Sequence, residues 1–185
     1  VQEERLYRIK SKGTFVCYPK IRQDFMTTLI PFNEDMIRAG KVPSTEVLAL
    51  RVVRPPEDVA EQLGIAHDGK AIYLYRKRCA DGVPVVRVET YLPYELCKFI
   101  MDHDFNHESL YQVLSMNEAT HITNITRICE ARAANTEDAN VLDTKRGKPI
   151  QYFLSMGYNR QGRQIEYSVA RYRGDQNSFK IHASL

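Results

Sequence analysis

The feature that most constrains this chain is a hairpin pattern between Ala71 and Tyr91. Residues that favour β-structure fill Ala71–Cys79 and Val83–Tyr91, which are the two halves of the pattern. Between them, Asp81-Gly82 is a dipeptide typical of a two-residue turn between antiparallel strands. The sequence therefore predicts two paired strands at the centre of the fold.

Two arginines share one face of the first predicted strand. Side chains alternate faces along a strand, so Arg76 and Arg78 continue the row that begins with Ile72 and Leu74. That row is apolar at its start and should face the core. Two cations on a core-facing row require an anion, because an unpaired buried charge is costly.

The predicted turn also sets a register for the hairpin. A two-residue loop would place Arg78 opposite Val85 and Arg76 opposite Arg87, with Glu89 on the same face as the arginines. Such a patch suits a small ligand with an acidic group at one end and hydroxyls or an amine at the other. The alternative is a structural salt bridge to Glu89, although one carboxylate cannot neutralise three arginines.

Length and composition restrict the class of protein. The chain has 185 residues, of which 43% are hydrophobic, enough for one substantial core. Its longest apolar runs, such as Val47–Leu50, are too short to span a bilayer, and the N-terminus lacks the layout of a signal peptide, so we expect a cytoplasmic protein without membrane contact. A net charge of +3 does not by itself indicate nucleic-acid binding.

Cysteine and histidine spacing indicates no metal site. The four cysteines Cys17, Cys79, Cys97 and Cys129 lie far apart and are expected to be reduced thiols. His103 and His107 have helical spacing but flank a predicted loop, so we expect no zinc there. No cofactor motif is apparent either.

Turn and cap signals divide the rest of the chain into short alternating elements. Further strands are predicted at Leu6–Lys10, Thr14–Cys17, Glu46–Val53, His121–Ala131, Ile150–Tyr158, Gln164–Tyr172 and Ser178–His182. Helices are predicted at Asn33–Ala39 with Asn33 as its cap, Pro56–Leu63, Tyr94–Asp102 and Ser109–Met116, and a capped helix is predicted at Asn135–Leu142. Hairpins with helices between them favour an α+β domain, an antiparallel β-sheet with flanking helices, over a doubly wound parallel sheet.

Several short segments occur in the order seen in bacterial transcription regulators of the GntR/HutC family. They are Lys12–Val16, Phe32–Met36, Val59–Gly64, Ala80–Pro84, Glu89–Pro93, Ser109–Tyr111, Glu166–Ser168 and Tyr172–Asp175. The chain resembles that family over nearly its whole length. The resemblance implies that residues 1–18 end a winged helix-turn-helix domain, with the first hairpin as its wing, that 19–31 form a linker, and that 32–185 form a UTRA effector-binding domain with a chorismate lyase-like fold. The helices that read DNA are then expected before Val1.

The resemblance implies a phosphate end of the ligand site. In relatives that respond to sugar phosphates, the positions matching Arg76 and Arg78 bind the phosphate. A Ser-Leu-Tyr segment adds phosphate contacts, which matches Ser109 and Tyr111 here. Ser109 is also predicted at a helix N-terminus, where an anion is favoured.

The resemblance implies a sugar end as well. Glu89, Glu166 and Tyr172 match the family's sugar contacts, and the last two are an even number of residues apart, so both can face one pocket. Two positions depart from the family pattern: Pro31 replaces a small polar residue, and Glu108 replaces a frequent glycine. A carboxylate at position 108 is compatible with a bound phosphate only if it points to solvent.

These observations predict the effector-binding and dimerisation domain of a DNA-binding regulator. The expected partners are a small anionic effector, a phosphorylated sugar or amino sugar, a second copy of the chain, and operator DNA through an N-terminal domain mostly outside this sequence. The ligand would act by population shift between dimer arrangements. The alternatives are a chorismate lyase-like enzyme, an effector such as a phosphonate or urocanate, and a ligand-free dimerisation module in which protein acids pair the arginines.

Overall fold

The computed structural model describes residues 6–16, 20–23, 30–179 and 181, and its centre is a six-stranded antiparallel sheet. The strands in chain order are β1 (Leu6–Ile9), β2 (Gly13–Val16), β3 (Ile21–Gln23), β4 (Pro43–Val53), β5 (Ala71–Ala80), β6 (Val83–Pro93), β7 (Ile122–Ala133), β8 (Pro149–Asn159), β9 (Gln164–Arg173) and β10 (Asn177–Phe179). Across the large sheet the order is β4-β5-β6-β9-β8-β7, and every neighbouring pair is antiparallel. The predicted α+β class is confirmed.

Short helices connect the strands. They are α1 (Phe32–Arg38), α2 (Glu57–Leu63), α3 (Tyr94–Cys97), a 3-10 helix (Lys98–Asp102), α4 (Leu110–Ser115) and α5 (Thr136–Val141). Asn33 does not cap α1 as predicted, because the helix begins at Phe32 with Pro31 at its N-cap. Asn135 does cap α5: its side chain accepts a hydrogen bond from the Asp138 N–H, and the Asp138 carboxylate accepts one from the Asn135 N–H.

The hairpin of β5 and β6 forms as predicted, but its register is wrong by one residue. Asp81 and Gly82 have φ values of 51° and 77°, as a two-residue primed turn requires. Cys79 then pairs with Pro84, whereas Arg78 pairs with Val86, so one residue of β6 is bulged out between them. A slip of one residue moves every later side chain to the other face.

One face of the large sheet carries most of the hydrophobic core. This face, called here the cavity face, holds Ile72 and Leu74 of β5 and Leu92 of β6, which pack with Leu114 of α4. A second cluster on the same face contains the aromatic rings of Phe32, Phe153 and Tyr172, with Phe179 packed against it. Between these two clusters lie the polar residues of the site described below.

The described residues also form two two-stranded sheets. β1 and β2 pair as an antiparallel hairpin, as predicted, while β3 pairs in parallel with β10 and lies inside the segment predicted to be a linker. Ile21 of β3 is buried in the second core cluster. Parts of the predicted wing and linker, the predicted end of a strand at Cys17 and the predicted end of the last strand at His182 lie outside the described residues.

Within the described residues, no helix is long and apolar enough to cross a membrane. Cys79, Cys97 and Cys129 are free thiols. No group of three or more potential ligands among His, Cys, Asp and Glu is placed to hold a metal ion in the described part of the chain.

Candidate functional site

A cavity of about 90 Å³ lies on the cavity face of the sheet, closed by α1 and the start of α4. It is lined by Ile30, Pro31, Phe32, Asp35, Arg76, Arg78, Val88, Ser109, Leu110, Tyr111, Arg127, Phe153, Ser155, Glu166, Ser168, Ala170 and Tyr172. Six of the seven predicted site residues are among them. They are Arg76, Arg78, Ser109, Tyr111, Glu166 and Tyr172, and the exception is Glu89.

Arg76 and Arg78 form one wall of the cavity. Arg76 is 3% exposed, and the Nε atoms of both side chains are buried without a hydrogen-bond partner among the described residues. No carboxylate of the described chain lies within ion-pair distance of either guanidinium. Burial lowers the pKa of Arg76, and the neighbouring Arg78 lowers it further. Without a bound anion, the charged form of Arg76 is therefore disfavoured.

Aromatic rings support the Arg78 end of this wall. The guanidinium carbon of Arg78 lies 5.1 Å from the centroid of the Phe32 ring, a cation–π distance. Burial raises the pKa of Tyr172 to about 12, although Arg78 opposes the shift. The Tyr172 hydroxyl therefore remains a protonated hydrogen-bond donor at neutral pH.

Glu166 lies in the cavity on β9 and is 3% exposed. The Tyr111 hydroxyl donates a hydrogen bond of 2.7 Å to Glu166 Oε2. Burial raises the pKa of Glu166, and the hydrogen bonds from Tyr111 and Ser168 only partly oppose this. Gly157 of β8 makes room for the carboxylate, because a Cβ at that position would lie 3.0 Å from Glu166 Oε2.

Ser109 occupies the N-cap position of α4 and faces the cavity. The preceding Glu108 is turned away to solvent, where His103 Nδ1 lies 2.9 Å from its Oε1 and the Asp104 N–H donates to its Oε2 at 2.8 Å. The departure from the family pattern at position 108 therefore does not place a carboxylate against the cavity.

Glu89 was predicted to lie in the site, but the structure places it on the other face of the sheet. The bulge in β6 sends Glu89 and Arg87 to the opposite face of the sheet, called here the back face. There the Arg87 Nη1 donates to Glu89 Oε1 at 2.6 Å, and the Tyr73 hydroxyl donates to Glu89 Oε2 at 3.0 Å. Glu89 therefore does not share a face with Arg76 and Arg78.

Four polar cavity residues were not predicted: Asp35, Arg127, Ser155 and Ser168. Asp35 comes from the first turn of α1, and the others come from three adjacent strands, β7, β8 and β9. The sequence predicts which face of its strand each of the strand residues lies on. It does not predict that these residues lie close together, because that depends on the pairing of strands distant in the chain. Sequence periodicity alone does not give that pairing.

The charges of the cavity favour an anionic ligand. Three arginines line it, against the two carboxyl groups of Asp35 and Glu166. Burial also raises the pKa of Glu166, which weakens its negative charge. Guanidinium forks, tyrosine and serine hydroxyls, and an apolar lining together suit a compact ligand that has an acidic group and hydroxyl groups.

The comparisons with known proteins agree with this architecture. The UTRA domain family model matches residues 38–177. The HTH-type transcriptional repressor NagR of Bacillus subtilis is 30% identical over 179 residues, covering 97% of this chain and 73% of that protein. The HTH-type transcriptional regulator GmuR of the same organism is also 30% identical, over 95% of this chain and 74% of that protein.

Solved structures give the same fold. The crystal structure of PhnF from Mycobacterium smegmatis superposes with a TM-score of 0.84 at 23% identity, covering 97% of this chain and 79% of that one. The separate effector domain of PhnF gives a TM-score of 0.78 at 22% identity, over 88% of this chain and all of that one. The fold is thus that of an effector domain of transcription regulators.

The chain belongs to the UTRA-domain family of GntR-type transcription regulators, since the family model covers most of its length and two curated regulators reach 30% identity over nearly all of it.

Proposed function

We propose that the cavity binds a small anionic metabolite, a phosphorylated sugar or amino sugar, as the effector of the regulator. The observation that carries the proposal is the neighbouring pair of Arg76, which is buried, and Arg78, which is partly buried. The Nε atoms of both are inaccessible and without a hydrogen-bond partner, and neither side chain has an ion-pair partner among the described residues. Charge-assisted hydrogen bonds from two guanidinium forks suit a phosphoryl group. The hydroxyls and the Glu166 carboxyl are suited to the rest of a sugar.

The competing proposal, a dimerisation module without a ligand, required the two arginines to be paired by Glu89 and other acids. Glu89 instead pairs with Arg87 on the back face. Glu166 attracts Arg76 electrostatically, but no ion pair joins them. These contacts leave Arg76 and Arg78 available to an external anion.

We propose that the effector acts on a homodimer that binds operator DNA through N-terminal domains beyond the described part. The ligand would bind one arrangement of the two subunits more tightly than the other. That difference in affinity sets the size of the change in operator binding. The curated relatives are regulators by name, which supports this role over that of a chorismate lyase-like enzyme.

A thermal-shift screen tests the proposal. Hexose and hexosamine 6-phosphates should raise the melting temperature at concentrations above their dissociation constants, whereas the matching unphosphorylated sugars should not. Phosphonates, urocanate and other carboxylates are included to test the alternative effectors. If no anion in the screen shifts the wild-type protein, or if unphosphorylated sugars shift it equally, the proposed effector class is wrong.

A further inference from the structure

A buried polar row crosses the floor of the cavity at right angles to the strands. Strand pairing places Arg127 of β7 beside Ser155 of β8, Ser155 beside Ser168 of β9, and Ser168 beside Thr90 of β6. Ser155, Ser168 and Thr90 are 6%, 5% and 0% exposed. Three hydroxyls in one buried row are unusual in a sheet core, where each polar group needs a partner.

The neighbouring row on the same face is mainly apolar. It runs from Cys129 through Phe153, Ala170 and Val88 to Arg76, so its centre is apolar. Of these two neighbouring rows, only the one that ends at Arg127 therefore carries hydroxyl groups. Because the core packs apolar groups directly beside it, the fold itself does not require that row to be polar.

The arginines of the cavity project from strands that lie far apart in the sheet. Arg76 and Arg78 project from β5, and Arg127 projects from β7, four strands away in the sheet. At the usual spacing of neighbouring strands, the two backbones are about 19 Å apart before the sheet curves. Arg127 thus enters the cavity from the side of the sheet opposite Arg76 and Arg78.

Glu166 lies between the two cationic walls. Both Arg76 and Arg127 lower its pKa against the larger effect of burial, so both act on this one carboxyl group. Ser168 hydrogen-bonds to Glu166, and Tyr111 donates to it. Beside Arg127, the cavity therefore contains the hydrogen-bond donors of a guanidinium group, two hydroxyls and a carboxyl acceptor. Neighbouring hydroxyl groups of a polyol can both donate to and accept from such a set of groups.

We propose that Arg127, Ser155 and Ser168 recognise the hydroxylated end of the effector and so select sugar phosphates over simple phosphates. The inference rests on the proposed function, since it assigns the second end of the same cavity. A second acidic group at this end is disfavoured, because it would lie against Glu166. Arg127 and the serines act on specificity, whereas Arg76 and Arg78 bind the anion common to both ligand types.

The test compares two ligands on four proteins. The dissociation constant of the hexose 6-phosphate with the largest thermal shift is measured by calorimetry, and inorganic phosphate is measured by competition against it. Arg127→Gln and the double variant Ser155→Ala/Ser168→Ala should each weaken the hexose phosphate about tenfold or more, the loss of one to two hydrogen bonds, and change phosphate affinity less than about twofold. The control Arg76→Gln should weaken both ligands.

The outcomes separate the inference from the proposed function. Variants at Arg127 or the serines that leave hexose phosphate affinity unchanged, or weaken both ligands equally, overturn the inference while the anion site stands. Wild-type protein that binds neither ligand overturns the proposed function, and the inference with it. The double serine variant covers the case in which Arg127→Gln impairs folding, since removing two hydroxyls leaves the strands and their packing in place.

Discussion

At the scale of residues, Arg76 and Arg87 lie on neighbouring strands, are both 3% exposed, and have opposite surroundings. Arg87 Nε donates to Asp138 Oδ1 at 2.7 Å, and its guanidinium also contacts Glu89 and Glu137. Arg76 has no such partner among the described residues. Removing one partner of a buried ion pair is costly, whereas a buried cation without a partner lowers stability until a ligand supplies the opposite charge.

Replacing the cavity arginines should therefore separate binding from stability. We expect Arg76→Ala or Arg78→Ala to weaken effector binding about tenfold or more, because each removes charge-assisted hydrogen bonds of roughly 1.5–3 kcal/mol. The free energy of unfolding of the empty protein should change little or rise, since repulsion between the two neighbouring cations is relieved. Calorimetric titration and urea unfolding measure the two quantities.

Arg87→Ala is the matched control on the back face. It leaves Asp138 with only one of its two buried arginine partners and removes the partner of Glu89, so it should destabilise the protein by up to about 3–5 kcal/mol whether or not ligand is present. If Arg76→Ala also melts far below the empty wild type while keeping full ligand affinity, the anion-binding role of Arg76 is wrong.

Glu166 should make stability depend on pH. Burial raises its pKa in the folded state, so between the unfolded value near 4.5 and the higher folded value the native protein binds more protons than the unfolded chain. This group therefore adds stability in the acidic range and loses it as pH rises through the folded pKa. The variant Glu166→Gln keeps an acceptor for Tyr111 but has no titrating group. Its free energy of unfolding, measured in urea from pH 5 to 8, should not show this decline with pH. A pH profile equal to that of the wild type would contradict the expectation.

At the scale of elements, α5 is fixed to the back face by one buried carboxylate. Asp138 is 0% exposed and accepts hydrogen bonds from Arg171 Nη2 at 2.6 Å and Arg87 Nε at 2.7 Å, while also capping its own helix. Arg87 and Arg171 are paired across β6 and β9. One side chain thus joins a helix to two central strands behind the cavity.

Asp138→Asn should detach this helix. It removes the charge that two buried arginines share, so we expect a loss of about 3–5 kcal/mol in the free energy of unfolding. Burial raises the pKa of Asp138, but the hydrogen bonds from Arg171 and Arg87 outweigh it and lower the pKa overall, so its contribution is present above about pH 4 and lost as pH falls below that. Glu137→Gln, in a half-exposed partner of Arg87, is the control and should cost less than about 1 kcal/mol.

Local signals predicted the elements well, whereas contacts between elements were partly missed. The Asp81-Gly82 turn and the Asn135 cap follow from neighbouring residues, and both formed. The face of Glu89 depended on one bulged residue beside Pro84, which lacks an N–H and disturbs regular pairing. Periodicity carries no signal for such an insertion, so the register could not be derived.

Arg127 was missed for a different reason. It lies on β7, an edge strand whose residues are mostly exposed. Along β7 there is no alternating row of buried side chains like the one on β5. Its place in the cavity follows only from the order of β9, β8 and β7 in the sheet. Glu166 and Tyr172, in contrast, were correctly placed on one face because their spacing within β9 is even.

At the scale of the whole molecule, we expect a homodimer. Two-fold operators require matched subunits, and the proposed mechanism needs two arrangements of a pair. Light scattering at micromolar concentration should give a mass near twice the 21.4 kDa of the chain. A monomer mass under these conditions would rule out the dimer-based mechanism while leaving the ligand site untouched.

The boundary of the effector domain should lie before β3, although the sequence placed residues 19–31 in a linker. Ile21 is 7% exposed, its N–H donates to the Gln176 carbonyl at 2.8 Å, and β3 pairs with β10 along its length. Phe179 of β10 packs edge-on against the cavity residue Tyr172, with ring centroids 5.1 Å apart. Removing β3 therefore exposes β10 beside the cavity wall.

We expect a chain of residues 30–185 to be less stable than one of residues 20–185 by about 2–3 kcal/mol, because the burial of Ile21 alone contributes about 1.5–3 kcal/mol. Effector affinity should fall as well, since Phe179 positions Tyr172 only while β10 is held. Urea unfolding and calorimetric titration of the two chains measure both effects, and Ile21→Ala in the longer chain should reproduce part of the loss. Equal stability and affinity of the two chains would show that β3 belongs to the linker after all, and that the domain begins at α1.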